Sequence, residues 1–258
     1  MLSLLRWFGK NGFIVFDICL NMNFFLKSLE ENLVNERKLI APANQKDFAA
    51  DLLSTYCFAD DYFPVGKIRS IYFDSYDLSS YDEKRNGDNL KVKLRLRWYG
   101  EATNPDGTTR AFLEAKHRLG SARRKLRQEY LLPVDWLEKT PLEDASFLDF
   151  IQKEVHKLDL LEAFYWTPTV IIAYDRMRFF CPHSKSRVAL DYNICCPKIN
   201  RVRFAYAPER IDLDTAVCEF KNPGGTPPSW LETLTIAGFR VKSFSKYGSI
   251  MDSILQRI

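Results

Sequence analysis

The chain has 258 residues, is 46% hydrophobic, and sets 37 Lys and Arg against 33 Asp and Glu for a net charge of +4. That is enough apolar material for a sizeable core, while so small a net charge argues against a nucleic-acid coat: any basic site must be concentrated by the fold and offset by acids elsewhere. No run reaches the roughly 18 to 20 apolar residues that cross a bilayer as a helix, and the six cysteines show neither CxxC pairing nor histidines at zinc-ligand spacing, so they read as reduced thiols of a cytosolic protein.

Residues 1–30 form an apolar, aromatic extension that Arg6, Lys10 and Asp17 interrupt and no small-residue cleavage site follows. A signal-anchor remnant, a membrane-surface helix, a helix packed on the domain and a stretch upstream of a true start at Met22 all fit it. Residues 31–258 read as one domain. Asn35 to Ile40 is a strand by alternation, with Glu36 and Lys38 on one face and Arg37 and Leu39 on the other. Pro42 ends it, and Asn44 is placed to cap a helix carrying Phe48, Leu52, Leu53 and Tyr56. Arg69 to Phe73 is an apolar strand ending at Asp74, and Tyr76 to Asn89 a polar connection.

Lys91 to Trp98 then separates into two faces: Lys91, Lys93, Arg95 and Arg97 on one, Val92, Leu94, Leu96 and Trp98 on the other. A solvated edge strand has that pattern too. Yet cations about 5 Å apart repel by ~3 kcal/mol at an effective dielectric near 20, so a second cationic strand alongside calls for a bound polyanion.

The Asn104-Pro105-Asp106-Gly107 turn predicts a hairpin back through Thr109 to Arg118, which sets Phe112, Glu114 and Lys116 on one face and Leu113 and Ala115 on the other. Arg118 to Arg127, dense in cations, reads as a solvated loop, a helix end or a mobile basic loop. Pro141 to Tyr165 is the most helical stretch, with Phe147, Phe150, Ile151, Val155, Leu158 and Leu161 near a 3.6 period. Strands are expected at Thr169 to Phe180, Arg187 to Tyr192, Arg201 to Tyr206 and Ala216 to Lys221. Pro223 to Pro228 is a loop, Ser229 caps a short helix, and a last helix starts after Ser245 with Ile250, Ile254 and Leu255.

Lys38, Arg95, Arg97, Lys116, Arg176, Arg187 and Lys221 therefore sit mid-strand at alternating positions, accompanied by Glu36, Glu114 and Glu219. A sheet with one apolar and one mostly cationic face can be solvated, but a closed barrel lined by the charges and clad in helices suits the pattern better. The expected fold class is α+β, an antiparallel β-barrel tunnel with flanking helices. His117, His156 and His183 are scattered without a nucleophile partner, Gly224-Gly225 reads as a turn, and Asp74, Asp77 and Asp82 read as a polar loop.

Several short motifs occur in a fixed order: Glu36-Arg37-Lys38, Ile71-Tyr72-Phe73-Asp74, Lys93-Leu94-Arg95-Leu96-Arg97-Trp98-Tyr99, Phe112-Leu113-Glu114-Ala115-Lys116, Tyr174-Asp175-Arg176, Arg187-Val188-Ala189-Leu190-Asp191, Glu219-Phe220-Lys221 and Ser245-Lys246-Tyr247. Together they resemble the vacuolar transporter chaperone (VTC) domain, the polyphosphate-polymerase branch of the CYTH-like triphosphate tunnel metalloenzymes. The resemblance implies a basic tunnel that binds triphosphate with a divalent ion, Mn²⁺ or Mg²⁺. Carried over by position, Arg95, Arg97, Lys116, Arg176 and Arg187 are the expected catalytic cations. Lys38, Lys93, Lys125, Arg127, Lys221, Ser245 and Lys246 are the expected phosphate-binding residues, and Glu219, Glu114 and Glu36 the expected metal ligands. Lys242 lies one position off a further basic residue of the family.

The activity implied is extension of inorganic polyphosphate from ATP with release of ADP. Transfer between phosphates needs positioning and charge neutralisation, and the nucleophile is an already ionised chain end, so no general base is required. The hydrolase and cyclase branches typically open with Glu-x-Glu-x-Lys. Here those positions are Val34, Glu36 and Lys38, and the missing first carboxylate favours the polymerase. A non-catalytic polyphosphate- or nucleotide-binding module and a tunnel triphosphatase are the alternatives. The expected partners are ATP and inorganic polyphosphate, with a membrane protein as a candidate further partner and no nucleic acid. The expected location is cytoplasmic, with membrane association left open. Arg95→Ala or Arg97→Ala is expected to abolish activity with little loss of fold, since both relieve repulsion in the lumen.

Overall fold

Period-two alternation is the local rule from which the molecule is built. The computed structural model describes residues 35–86, 90–119, 122–158, 165–222 and 228–256. The extension 1–30 with Met22, residue 161 of the helical stretch and most of the 223–228 loop lie outside them.

Eleven strands among the described residues form one antiparallel sheet. They are β1 (Asn35–Ala41), β2 (Phe58–Ala59), β3 (Val65–Asp74), β4 (Leu90–Thr103), β5 (Thr108–Leu119), β6 (Ala122–Pro133), β7 (Thr167–Cys181), β8 (Ser186–Ile199), β9 (Ile211–Asp212), β10 (Ala216–Asn222) and β11 (Arg240–Val241). Six α-helices accompany them: α1 (Lys46–Tyr56), α2 (Ser79–Asn86), α3 (Val134–Lys139), α4 (Ala145–Glu154), α5 (Trp230–Ile236) and α6 (Lys246–Leu255). The strand order is β11-β1-β10-β8-β7-β3-β4-β5-β6, with β2 added to β7 and β9 to β8.

The expected closed barrel is not formed. Among the described residues no pairing joins β6 to the β1 end, and the hydrogen-bonded path runs open from β11 to β6. The outer edge of β1 is taken instead by β11: Leu39 and Ile40 pair with Val241 and Arg240, and the Lys38 carbonyl accepts from the Lys242 amide. The sheet is nonetheless curled far enough for Lys38 of β1 and Lys125 of β6 to line one cavity. The segment Phe244 to Lys246 joins β1 to β4 through two lysine side chains. The Phe244 carbonyl accepts from Lys38 Nζ at 3.4 Å, and the Ser245 hydroxyl accepts from Lys93 Nζ at 3.2 Å.

The convex face is apolar and carries helices, the inversion that the alternation predicts. Leu94, Leu96 and Trp98 of β4, with Leu113 of β5, are buried against Leu137 of α3 and Phe147 and Ile151 of α4, with Val92 partly buried beside them. Each such side chain contributes on the order of 2 kcal/mol. A second cluster packs Leu39, Cys218 and Phe220 against Ala49 and Leu53 of α1 and Trp230 and Leu234 of α5. A third cluster lies on the opposite, cavity-side face, where α6 seats Ile250, Met251 and Ile254 beside Tyr72 and Tyr174. The five described cysteines are all buried and free.

Four local expectations fail for nameable reasons. Cationic Arg118 to Arg127 is not a loop: from Ala122 onward it is β6, paired in continuous register with β5 so that Lys125 and Arg127 face the carboxylate of Glu114. Arg201 to Tyr206 is a turn, because the Asn200 side chain accepts from the Arg203 amide while its carbonyl accepts from Phe204. The polar connection contains α2, whose Ser79 amide donates to the Ser75 hydroxyl and whose Ser80 and Tyr81 amides donate to the Asp74 carboxylate. Asn44 lies in a 3-10 turn (Ala43–Gln45), and Gln45 holds the N-cap position of α1 without a side-chain cap bond.

Candidate functional site

Register places the charges in rows. Lys93, Lys116 and Lys125 stand opposite one another across β4, β5 and β6; the adjacent row is Arg95, Glu114 and Arg127. On the other side of β4, Arg95 faces Tyr72 and Arg97 faces Ser70 of β3. The curled sheet turns these rows into the wall of a cavity of about 350 Å³, lined by nine Lys or Arg side chains and the carboxylates of Glu36, Glu114 and Glu219.

Two buried acids organise the arginines. Glu114 takes Arg95 Nε at 2.8 Å and Nη2 at 2.7 Å on one oxygen and Lys125 Nζ at 2.6 Å on the other. Arg97 and Arg127 stand at 3.9 and 3.8 Å, and Arg127 also stacks on the Phe112 ring at 3.5 Å. Burial pushes the Glu114 carboxyl up, but Arg95, Arg97 and Lys125 outweigh it and hold it at about 2. Asp191 of β8, fully buried, accepts two bonds from Arg176, at 2.5 and 2.7 Å, and one from Lys246 Nζ. There too the burial penalty is outweighed, by Lys246 and Arg176, and the carboxyl stays well below its ordinary range. Both acids are therefore ionised at neutral pH, and the fork geometry fixes which way each guanidinium points.

Two phenols complete the wall. Tyr72 accepts from Arg95 Nη1 at 3.3 Å and stacks on Tyr247 of α6, ring centroids 5.3 Å apart. Burial raises its hydroxyl, but Arg95, Arg97 and Lys246 bring it down to about 8. Tyr174 accepts from Arg97 Nη2 at 3.2 Å, and Lys246 Nζ lies 4.4 Å above its ring. The N-terminus of α6 opens at the same cavity: Ser245 is its N-cap and accepts from the Gly248 amide at 3.2 Å. A helix N-terminus adds partial positive charge there. Tyr247 anchors the helix by donating to Asp74 at 2.6 Å.

Most expected residues converge. Arg95, Arg97, Lys116, Arg176, Lys38, Lys93, Lys125, Lys221, Ser245, Lys246, Glu36, Glu114 and Glu219 all line this cavity. Arg187 does not: it pairs with Lys221 at the far end of β8 and lines a second, outer cavity. Arg127 stands behind Glu114, outside the lining, and Lys242 is exposed. Tyr72, Tyr174 and Asp191 stand in the sequence motifs but have no site role expected from them. Tyr174 was detectable, since it sits two residues before Arg176 and so shares its strand face.

The carboxylates differ in what they can hold. Both oxygens of Glu114 are engaged by cations. Glu219 lies 2.8 Å from Lys221, with Glu36 on the same face of the neighbouring strand, 3.5 Å from Lys38. Burial pushes Glu219 up, yet Lys221, Lys38 and Arg176 keep it at about 2. One or two carboxylates plus phosphate oxygens is the usual donor set for Mg²⁺, and Glu219 and Glu36 are the carboxylates with that chemistry; among the described residues no group of three or more His, Cys, Asp or Glu side chains comes together.

Fold and site thus define an α+β protein whose antiparallel sheet curls around a strongly basic cavity. The chain belongs to the VTC domain family, whose family model matches residues 34–255. Among solved structures it is similar to a candidate adenylate cyclase from Bacillus halodurans, with 13% identity and a TM-score of 0.46 over 81% of this chain and 92% of that one. It is also similar to one from Vibrio parahaemolyticus, with 12% identity and a TM-score of 0.42 over 84% and 97%. No curated protein matches the sequence at a significant level.

Proposed function

We propose that this VTC domain is a metal-dependent polyphosphate polymerase that transfers the γ-phosphate of ATP to a growing polyphosphate chain inside the basic cavity. The observation that carries the reading is the concentration of nine cations in one cavity, with Arg95 and Arg176 aimed by buried carboxylates. Such a wall neutralises a triphosphate and a second phosphate chain together, which no neutral cleft does.

The lysine row of Lys93, Lys116 and Lys125 supplies point charges along the phosphate chain. Arg95, Arg97 and Arg176, already oriented, stabilise charge on the equatorial oxygens of the transferring group. An oxygen of the chain's terminal phosphate forms a bond to the γ-phosphorus, the bond from that phosphorus to the β–γ bridging oxygen breaks, and the electron pair leaves with ADP. Glu219 and Glu36 would hold Mn²⁺ or Mg²⁺, which when bound neutralises non-bridging oxygens. No residue has to take a proton, because the nucleophile enters ionised.

Incubation of the purified chain with ATP and Mn²⁺, followed by gel analysis for long-chain polyphosphate and assay of ADP, tests the reading. Polymer with matching ADP is expected. Orthophosphate without polymer makes the protein a triphosphatase, and tight binding without turnover makes it a binding module.

A further inference from the structure

A second cavity, of about 680 Å³, adjoins the first and shares Arg176, Glu219 and Lys221 with it. Its two sides differ in chemistry. The strand side carries cations, Arg178 and Arg187 with the shared Arg176 and Lys221, next to Phe179 and Phe180. Opposite is the β2 segment and the turn after it, residues 58–63, which bring Phe58, Tyr62 and Phe63 together with Asp60 and Asp61. These aromatics are 69%, 85% and 69% exposed among the described residues.

The turn is built rather than loose. Asp60 accepts from the Tyr62 and Phe63 amides at 3.2 and 2.8 Å and so folds its own turn. β7 then pins it from behind: Arg178 donates through its guanidinium to the Phe63 carbonyl at 3.0 Å and through its amide to the Pro64 carbonyl at 2.8 Å. Its own carbonyl accepts from the Asp60 amide at 2.9 Å. None of these bonds uses the Tyr62 or Phe63 side chain. The rings are held out on a fixed backbone with their faces available.

A bare phosphate chain in this cavity would engage the cations of the strand side but leave the exposed aromatic rings without a partner. A molecule that is anionic at one end and aromatic at the other matches both sides. We infer that the outer cavity seats the nucleoside of a nucleoside triphosphate whose phosphates lie in the inner cavity, with Tyr62 and Phe63 as the platform on which the base stacks. Asp61 is placed to accept from sugar hydroxyls or a base amine. This rests on the inner cavity being a triphosphate site, and it makes the base a source of affinity for ATP over inorganic tripolyphosphate.

Calorimetric titration of the whole chain in the presence of Mn²⁺, with ATP and with tripolyphosphate in separate runs, tests the inference. The double variant Tyr62→Ala, Phe63→Ala should bind ATP roughly tenfold more weakly, the size of one lost base–aromatic stack, while its tripolyphosphate affinity is unchanged. The swap Tyr62→Phe, Phe63→Tyr should restore ATP affinity, and circular dichroism should show all three proteins equally folded. Equal losses for both ligands, or no loss for ATP, overturns the nucleoside site. Wild-type protein that binds tripolyphosphate but not ATP also overturns it, while leaving the inner cavity as a phosphate site. Binding of neither ligand removes the triphosphate reading itself.

Discussion

Replacing Glu114 by Gln probes the site most directly, because this one carboxylate holds Arg95 and Lys125 and faces Arg97 and Arg127. Its side chain is only 4% exposed, so solvent screens these contacts little. A carboxyl held at about 2 rather than at the ordinary 4.5 corresponds to ~3 kcal/mol of stability at neutral pH, since each tenfold change in proton affinity is worth about 1.4 kcal/mol. The sign follows from the downward shift: the contribution is fully present above the unfolded value and is lost as pH falls through the folded one. The Gln variant should therefore melt about 6 to 12 °C below the wild type at pH 7, and the gap should narrow as pH falls from about 5 towards 2. Gln leaves four cations without their anion, so a bound polyanion should compensate. Scanning calorimetry with added tripolyphosphate is expected to raise the melting temperature of the variant more than that of the wild type. An unchanged melting temperature at pH 7, or a smaller tripolyphosphate effect in the variant, would refute the assignment of Glu114 as the counter-charge of the cavity.

The two β4 arginines should part company in stability, contrary to the expectation that truncating either merely relieves repulsion. Arg95→Ala removes the two-pronged partner of Glu114 and should lower the melting temperature, whereas Arg97→Ala, whose contact with Glu114 is 3.9 Å, should mainly weaken tripolyphosphate binding in calorimetry. With the Tyr72 hydroxyl at about 8, the cavity gains a negative charge between pH 7 and pH 9. Tripolyphosphate affinity should fall across that range in the wild type and less so in Tyr72→Phe. Tyr247→Phe keeps the ring stacked on Tyr72 but takes a hydrogen bond from buried Asp74. It should cost roughly 2 kcal/mol, about 5 °C in melting temperature, with tripolyphosphate affinity kept.

Period-two alternation made much of this protein legible, because which face a strand residue occupies is decided by its two neighbours alone. Lys91 to Trp98 thereby announced a basic face and an apolar one, and Val92, Leu94, Leu96 and Trp98 do pack under the helices α3 and α4. The Asn104 to Gly107 turn fixed the hairpin in the same local way, and the side chain of Ser245 caps the helix it was expected to start. Propensity was misleading where a distant partner overrode it. Residues 122–127 look like a loop until Glu114 stands opposite their charges, and Arg201 to Tyr206 looks like a strand until Asn200 closes it into a turn.

What only the tertiary structure decided concerns partners and closure. No local pattern says that Asp191 will accept from both Arg176 and Lys246, that Tyr72 will face Arg95, or that Arg187 will end in the outer cavity. Each of those depends on register between strands far apart in the chain. Whether the sheet closes was likewise beyond the sequence, since β11 and residue 242, distant in the chain, pair with the β1 edge. Alternation is a property of one strand and can be read from it. A charge-lined cavity is a property of how the strands curl together, and long-range pairing alone sets that.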